Sequence, residues 1–287
     1  MENRNPLRVF ETIPPSWDFD LHIHTNWSQD NLDGPSMMDY IPLAERYKIH
    51  IGFADHFEMQ YYRKYGGSPR NEGDPRWKLN PDTIDDYLGE VDDIKENYEF
   101  VSSGLEMDYY PEKKEQLQEF IDDYYDQFDL FIGSVHETKP HRPVTILEDF
   151  NWLVKKEGSF KKVLNQYWDL MFEMISDELF DAVAHPDVIY RFFSSKEIAE
   201  DHPEYLNDER VLTLGRECLE KDTLMEVNLS GLLGEWGQSF PKIDYVYNLR
   251  SKGVKFVVGS DSHTIEHFKN SILNIRKMNN VLKARTN

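Results

Sequence analysis

Cysteine is nearly absent from this chain: Cys218 is the only one in 287 residues, so no internal disulfide can form. That fits a reducing, cytoplasmic setting better than a secreted one. Long apolar runs are missing as well. No stretch approaches the roughly 18 residues of a membrane span, and the polar start MENRNPLRVFETIPP has no signal-peptide core. Positive charge is scarce, with 32 Lys and Arg against 53 Asp and Glu and a formal net charge of −21. Such a balance argues against nucleic acid and against an anionic membrane surface as partners. A phosphate can still bind where something local reverses the sign, and metal ions do so. No internal repeat, low-complexity tract or clear linker interrupts the sequence. One domain is therefore expected over residues 1–287, with residues 1–16 as an arm across its surface.

What is present is enough for a large core, at 39% hydrophobic and 14% aromatic residues. Short apolar runs alternate with helical patterns along the whole chain. Strands are expected near residues 17–24, 51–56, 99–105, 130–135, 181–184, 223–228 and 254–259. Helices fill most of the intervals, one of them opened by Pro35 in its first turn. The alternation predicts an α/β fold with a parallel sheet and right-handed crossovers. Residues 57–80 and 137–157 are expected to be long loops, which in compact domains are usually functional.

The chain is organised around Asp20-Leu21-His22-Ile23-His24. On a strand, alternate side chains put Asp20, His22 and His24 on one face and Phe19, Leu21 and Ile23 on the other. Two imidazoles so placed can reach one metal ion. The later strands end in the same chemistry: His56, Glu106, His136, His185, then Asp261 with His263, while the sixth ends in Asn228. Taken singly each has a plain alternative, with His56 a turn residue, His136 a satisfied core histidine and Glu106 a solvated acid. In a (β/α) barrel, however, strand C-termini converge on the catalytic face. The set exceeds the roughly three protein ligands of one catalytic zinc, so two or three divalent ions sharing a bridging carboxylate are expected. Imidazole and carboxylate without thiolate suit Zn, Mn or Fe.

The series D-L-H-I-H-T, A-D-H, G-L-E-M-D-Y, G-S-V-H, A-H-P-D and G-S-D-S-H resembles the PHP (polymerase and histidinol phosphatase) superfamily, and among its members the free-standing histidinol-phosphatases. The resemblance runs from about residue 18 to 270. It implies a distorted (β/α)7 TIM-like barrel, the PHP fold, holding up to three metals. It places His22, His24, Glu106 and Asp261 on the first ion, with Glu106 bridging to a second held by His136 and His185. His56 and His263 would hold a third. Many relatives have a histidine six residues after the second His of the opening motif; here that position is Asp30, a carboxylate that can ligate equally well. The implied activity is hydrolysis of L-histidinol phosphate in histidine biosynthesis.

Paired ions about 3.5–4 Å apart can hold phosphoryl oxygens and generate a bridging hydroxide that attacks phosphorus in line. Glu106, Asp261 and His263 would then surround the reacting centre, and Ser262 reads as a turn residue. Arg191 is the first candidate to clamp the phosphate, followed by Arg142 and Lys139. A small phosphorylated metabolite is the expected partner, and an imidazole or ammonium could stack on Tyr61, Tyr62, Tyr65, Trp77 or Trp152. Asp108 and Glu137 could pair with an amine. The competing readings are a PHP phosphoesterase for nucleotides or sugar phosphates, a metal-dependent amidohydrolase, and a non-catalytic metal-binding module. The sequence leaves oligomeric state open.

Overall fold

The computed structural model describes residues 4–59, 78–193 and 208–284. In chain order its strands are β1 (Asp18–Ile23), β2 (Ile49–His56), β3 (Val101–Asp108), β4 (Leu130–Ser134), a short hairpin of β5 (Glu137–Lys139) and β6 (Arg142–Pro143), β7 (Ala182–Val183), β8 (Leu224–Asn228) and β9 (Phe256–Gly259). The helices are α1 (Met37–Tyr47), α2 (Ile84–Lys95), α3 (Lys114–Tyr124), α4 (Leu147–Glu157), α5 (Phe160–Ser176), α6 (Arg210–Glu220), α7 (Ile243–Ser251) and α8 (Ile265–Lys283).

Outside the hairpin, seven strands form one parallel sheet in the order β1-β2-β3-β4-β7-β8-β9. Beyond the end of β9 the sheet curls back to β1: His24 N donates to Ser262 O at 3.0 Å, and Asp261 N to His22 O at 2.9 Å. These bonds seal the barrel at its C-terminal end, where the histidines stand. On β1 the expected division holds, with Phe19, Leu21 and Ile23 buried in the core and Asp20, His22 and His24 buried as well. Strands buried on both faces are what a helix-covered parallel sheet requires.

The arm is more than a surface strap. A 3-10 helix at Pro6–Glu11 buries Val9 completely, and Arg8 forks onto Asp181 at the start of β7, with N···O distances of 2.9 and 2.8 Å. Two local expectations are corrected. Pro35 lies ahead of α1 rather than in its first turn, because Ser36 takes the cap position and its N–H and hydroxyl both donate to Asp39. The stretch 137–157 is not a loop. It folds as the β5–β6 hairpin and α4, which buries Phe150 and Leu153 on one face and ends at Gly158 with φ +83°.

Candidate metal centre and cavity

Glu106, near the end of β3 and 1% exposed, is the hub of the site. The β2–β3 register sets His56 directly beside it. Its Oε2 lies 3.0 Å from His56 Nδ1, 3.3 Å from His22 Nε2 and 3.5 Å from His24 Nε2. Its Oε1 lies 2.8 Å from His185 Nε2 and 3.4 Å from His136 Nε2. Each oxygen thus faces its own set of imidazoles. Asp261 Oδ1 reaches His24 Nε2 at 3.2 Å. On the outer side Asp30 Oδ2 lies 3.3 Å from His263 Nε2 and 3.5 Å from His56 Nε2, and the His24 and His263 rings stack at 4.1 Å. All nine sequence-derived ligand candidates come together here.

The donors fit divalent ions. His22 and His24 present Nε2 atoms to each other at 3.0 Å, as do His136 and His185 at 3.2 Å. His56 Nδ1 is buried and makes no hydrogen bond. Ligand atoms within 4.8 Å of one another group as His22, His24 and Glu106, as His56, Glu106 and His136, and as His24, His56 and His263. The crowded donors shift one another's proton affinity. Burial opposes charge on His136, but Asp108 and Glu106 push it up to about 9. His22 is likewise held well above its usual value, against burial, by Glu226 and Glu106. Burial and then the neighbouring His263 and His56 push His24 down to about 3, leaving its lone pair free. Burial works against the Glu106 charge, yet His56, His136 and His22 hold its carboxyl well below the usual range. Metal binding at such a set displaces protons.

Several residues that aim the ligands were not foreseen. Glu226, inside β8 and fully buried, accepts from His22 Nδ1 at 2.7 Å and from the His185 N–H at 2.6 Å. It can reach because its neighbour is Gly259, where a Cβ would overlap Glu226 and sit 2.6 Å from His22 Cβ. Asp108 lies 2.8 Å from His136 Nδ1, and Ser28 bonds His24 Nδ1 at 3.0 Å while donating to Asp55 at 2.8 Å. Such carboxylate–histidine pairs fix tautomer and ring orientation in metal sites. Asn228, the odd strand end, donates to Asp261 Oδ2 at 3.4 Å. Asp261 itself has φ +55°, a strained conformation that aspartate tolerates better than most residues and that turns its carboxylate inward. Ser262 is buried and bonded to Ser260 at 2.6 Å.

A cavity of about 190 Å³ opens over the cluster, its wall including Glu58, Glu137, Ile146, Val188 and Arg191. Arg191 makes no side-chain hydrogen bond or ion pair among the described residues and faces Phe192 at 5.9 Å. Lys139 and Arg142 do not line the cavity. Lys139 is paired with Glu157, and Arg142 with Asp149 at 2.6 Å, stacked 4.5 Å from Trp152. Their local acids occupy them, so neither is placed to clamp a phosphate, and Trp152 is turned to that pair. Tyr61, Tyr62, Tyr65 and Trp77 lie outside the described residues. Asp108 is committed to His136 and Ser134, and Glu137 accepts from Tyr110 and from the His141 N–H. Glu58 is different: 6% exposed, with Oε2 unpartnered among the described residues. Burial and then the Asp108 carboxylate push it up to about 8, and cations at the neighbouring ligands would hold it ionised.

The PHP domain family matches residues 20–230. The chain belongs to that family. A histidinol-phosphatase of Bacillus subtilis is 25% identical over 193 residues, covering 63% of this chain and 71% of its own. A probable histidinol-phosphatase of Deinococcus radiodurans is 22% identical over 196 residues, covering 66% and 69%. A Listeria monocytogenes protein described as a candidate histidinol phosphatase shares the fold at TM-score 0.73 and 18% identity, covering 89% of this chain and 99% of its own. Histidinol phosphate phosphatase from Lactococcus lactis, solved with zinc, L-histidinol and phosphate, follows at TM-score 0.64 and 19% identity, covering 93% and 94%. The PHP barrel expected from the strand-end motifs is therefore the fold of the chain.

Proposed function

We propose that this PHP chain, acting as a single domain, is a metal-dependent phosphate monoester hydrolase whose substrate is L-histidinol phosphate. The observation that carries the reading is Glu106, whose two oxygens each face a separate set of histidine nitrogens beneath a cavity walled in part by Arg191, which has no ion pair among the described residues. In this reading His22, His24, Glu106 and Asp261 hold one ion and His136, His185 and Glu106 a second. Asp30, His56 and His263 would hold a third. Bound there, two or three zinc, manganese or iron ions supply Lewis acidity toward phosphoryl oxygens and acidify water.

The chain's own side chains supply the rest. The Arg191 guanidinium offers a planar fork matched to two phosphate oxygens. Glu226 and Asp108 keep Nε2 of His22 and His136 turned toward Glu106, where an ion would sit, by occupying Nδ1. Two considerations favour histidinol phosphate over other monoesters. The related proteins named above carry that activity in their names, and the Lactococcus structure contains L-histidinol and phosphate. The net charge of −21 disfavours polyanions on approach, whereas a monoester bearing an ammonium escapes most of that penalty.

Phosphate release by the metal-loaded protein tests the assignment against L-histidinol phosphate, AMP and common sugar phosphates. The expected kcat/KM for L-histidinol phosphate is at least roughly tenfold above the others. A preference for a nucleotide or sugar phosphate would overturn the substrate and leave the metal centre standing.

A further inference from the structure

The metal cluster and Arg191 account for the phosphate end of a monoester and leave its other end unassigned. Of the acids on the cavity wall, Asp30, Glu106 and Asp261 face the histidines of the cluster. Glu137 is engaged by Tyr110 and by the His141 N–H. Glu58, just past the end of β2, is left. It is more than nine-tenths buried, it lines the cavity, and its Oε2 has no hydrogen-bond partner among the described residues. A buried carboxylate oxygen without a partner is costly, so a position of this kind calls for a positive ligand.

Two cations could answer. Glu58, Asp108 and His136 lie close enough together to suggest a further metal ion. That trio is not open, however. His136 Nδ1 is held by Asp108 at 2.8 Å, and the same Asp108 oxygen accepts from Ser134 Oγ at 3.0 Å and from the His136 N–H at 3.1 Å. His136 is left with Nε2 alone as a ligand, and Nε2 faces Glu106 and His185. What remains is one carboxylate oxygen in a cavity whose wall also carries the apolar Val188, Ile146 and Pro143. Such a combination suits an organic cation: an ammonium at the carboxylate, its carbon skeleton along the apolar residues and its phosphate toward the cluster.

Resting on the phosphatase reading above, we propose that Glu58 is a specificity-determining residue that binds the primary ammonium group of the phosphate monoester substrate. It acts on binding rather than on phosphoryl transfer, so its removal weakens selection among esters. A charge-assisted hydrogen bond of this kind carries the discrimination that a neutral wall could not.

The test uses the metal-loaded enzyme with L-histidinol phosphate, its N-acetyl derivative, which lacks the positive amine, and p-nitrophenyl phosphate. In E58Q the kcat/KM ratio of L-histidinol phosphate to p-nitrophenyl phosphate should fall roughly 10- to 100-fold, mostly through KM. E58D, which keeps the charge, should retain most of the ratio. In the wild type, N-acetylation should raise KM about tenfold or more, and E58Q should add little to that loss. If E58Q folds poorly, the E58D and N-acetyl measurements still decide the matter. The proposal is overturned if the E58Q ratio stays within about twofold of wild type. It is equally overturned if E58Q loses a metal ion and both esters fall in parallel, or if wild type ignores N-acetylation. A wild type preferring AMP or a sugar phosphate would instead sink the phosphatase reading itself.

Discussion

The two ends of the barrel solve opposite problems with the same kinds of side chain. At the N-terminal end Arg8 and Asp181 meet through two hydrogen bonds, the guanidinium lies 3.8 Å from the Tyr125 ring centroid, and Asp181 Oδ2 also accepts the Phe131 N–H at 2.9 Å. The charges of this pair find their partners within the chain. At the C-terminal end, imidazole nitrogens face one another at 3.0 and 3.2 Å, Glu106 is crowded by five histidines, and Asp261 holds a strained φ of +55°. That end is arranged for cations the chain does not itself supply. One end stabilises the barrel, and the other draws on that stability to hold its donors together.

Breaking the C-terminal arrangement at its hub should have the largest effect. Glu106→Gln keeps the shape but removes the charge shared between two groups of ligands. The expected result is loss of at least one ion by elemental analysis and a fall in kcat of roughly 10³-fold or more, with the circular dichroism of the fold retained. Near-native turnover and metal content would refute the bridge. Glu226→Gln probes one layer further out. It should cost roughly 10- to 100-fold in metal affinity or activity by loosening the His22 ring. A metal titration indistinguishable from wild type would remove Glu226 from the account.

The N-terminal end should respond in the other currency. Arg8→Ala strands the buried Asp181 carboxylate, and the expected loss is about 3 kcal/mol of stability by denaturant unfolding. Turnover of the folded, metal-loaded protein should remain within about twofold. A variant of unchanged stability but altered kcat would erase the proposed division between the ends.

The strand-end ligands were legible because the strand period and the parallel topology jointly send them to one rim. His22 and His24 declare the inward face, and every later strand of the barrel but the one ending in Asn228 closes on the same chemistry. Residues whose role depends on a partner far along the chain were not legible. Glu226 looks like any strand acid until β1 places His22 against it. Arg142 looks like a free cation until α4 brings Asp149 round. Helix α4 hid behind its weak start, since Ile146 occupies the cap position with no side-chain hydrogen bond. The spacing of Leu147, Phe150 and Leu153 was nevertheless there to read. Glu58 gave no signal beyond lying two residues past His56, because only its unpartnered burial distinguishes it from other loop acids.

The most direct test of the account is a count of metal ions in protein purified without chelator, paired with activity before and after exhaustive chelation and metal return. The account predicts two or three transition-metal ions per chain, phosphatase activity lost on chelation and restored by the metal. At most one ion per chain, with phosphate release unchanged by prolonged chelation, would contradict it.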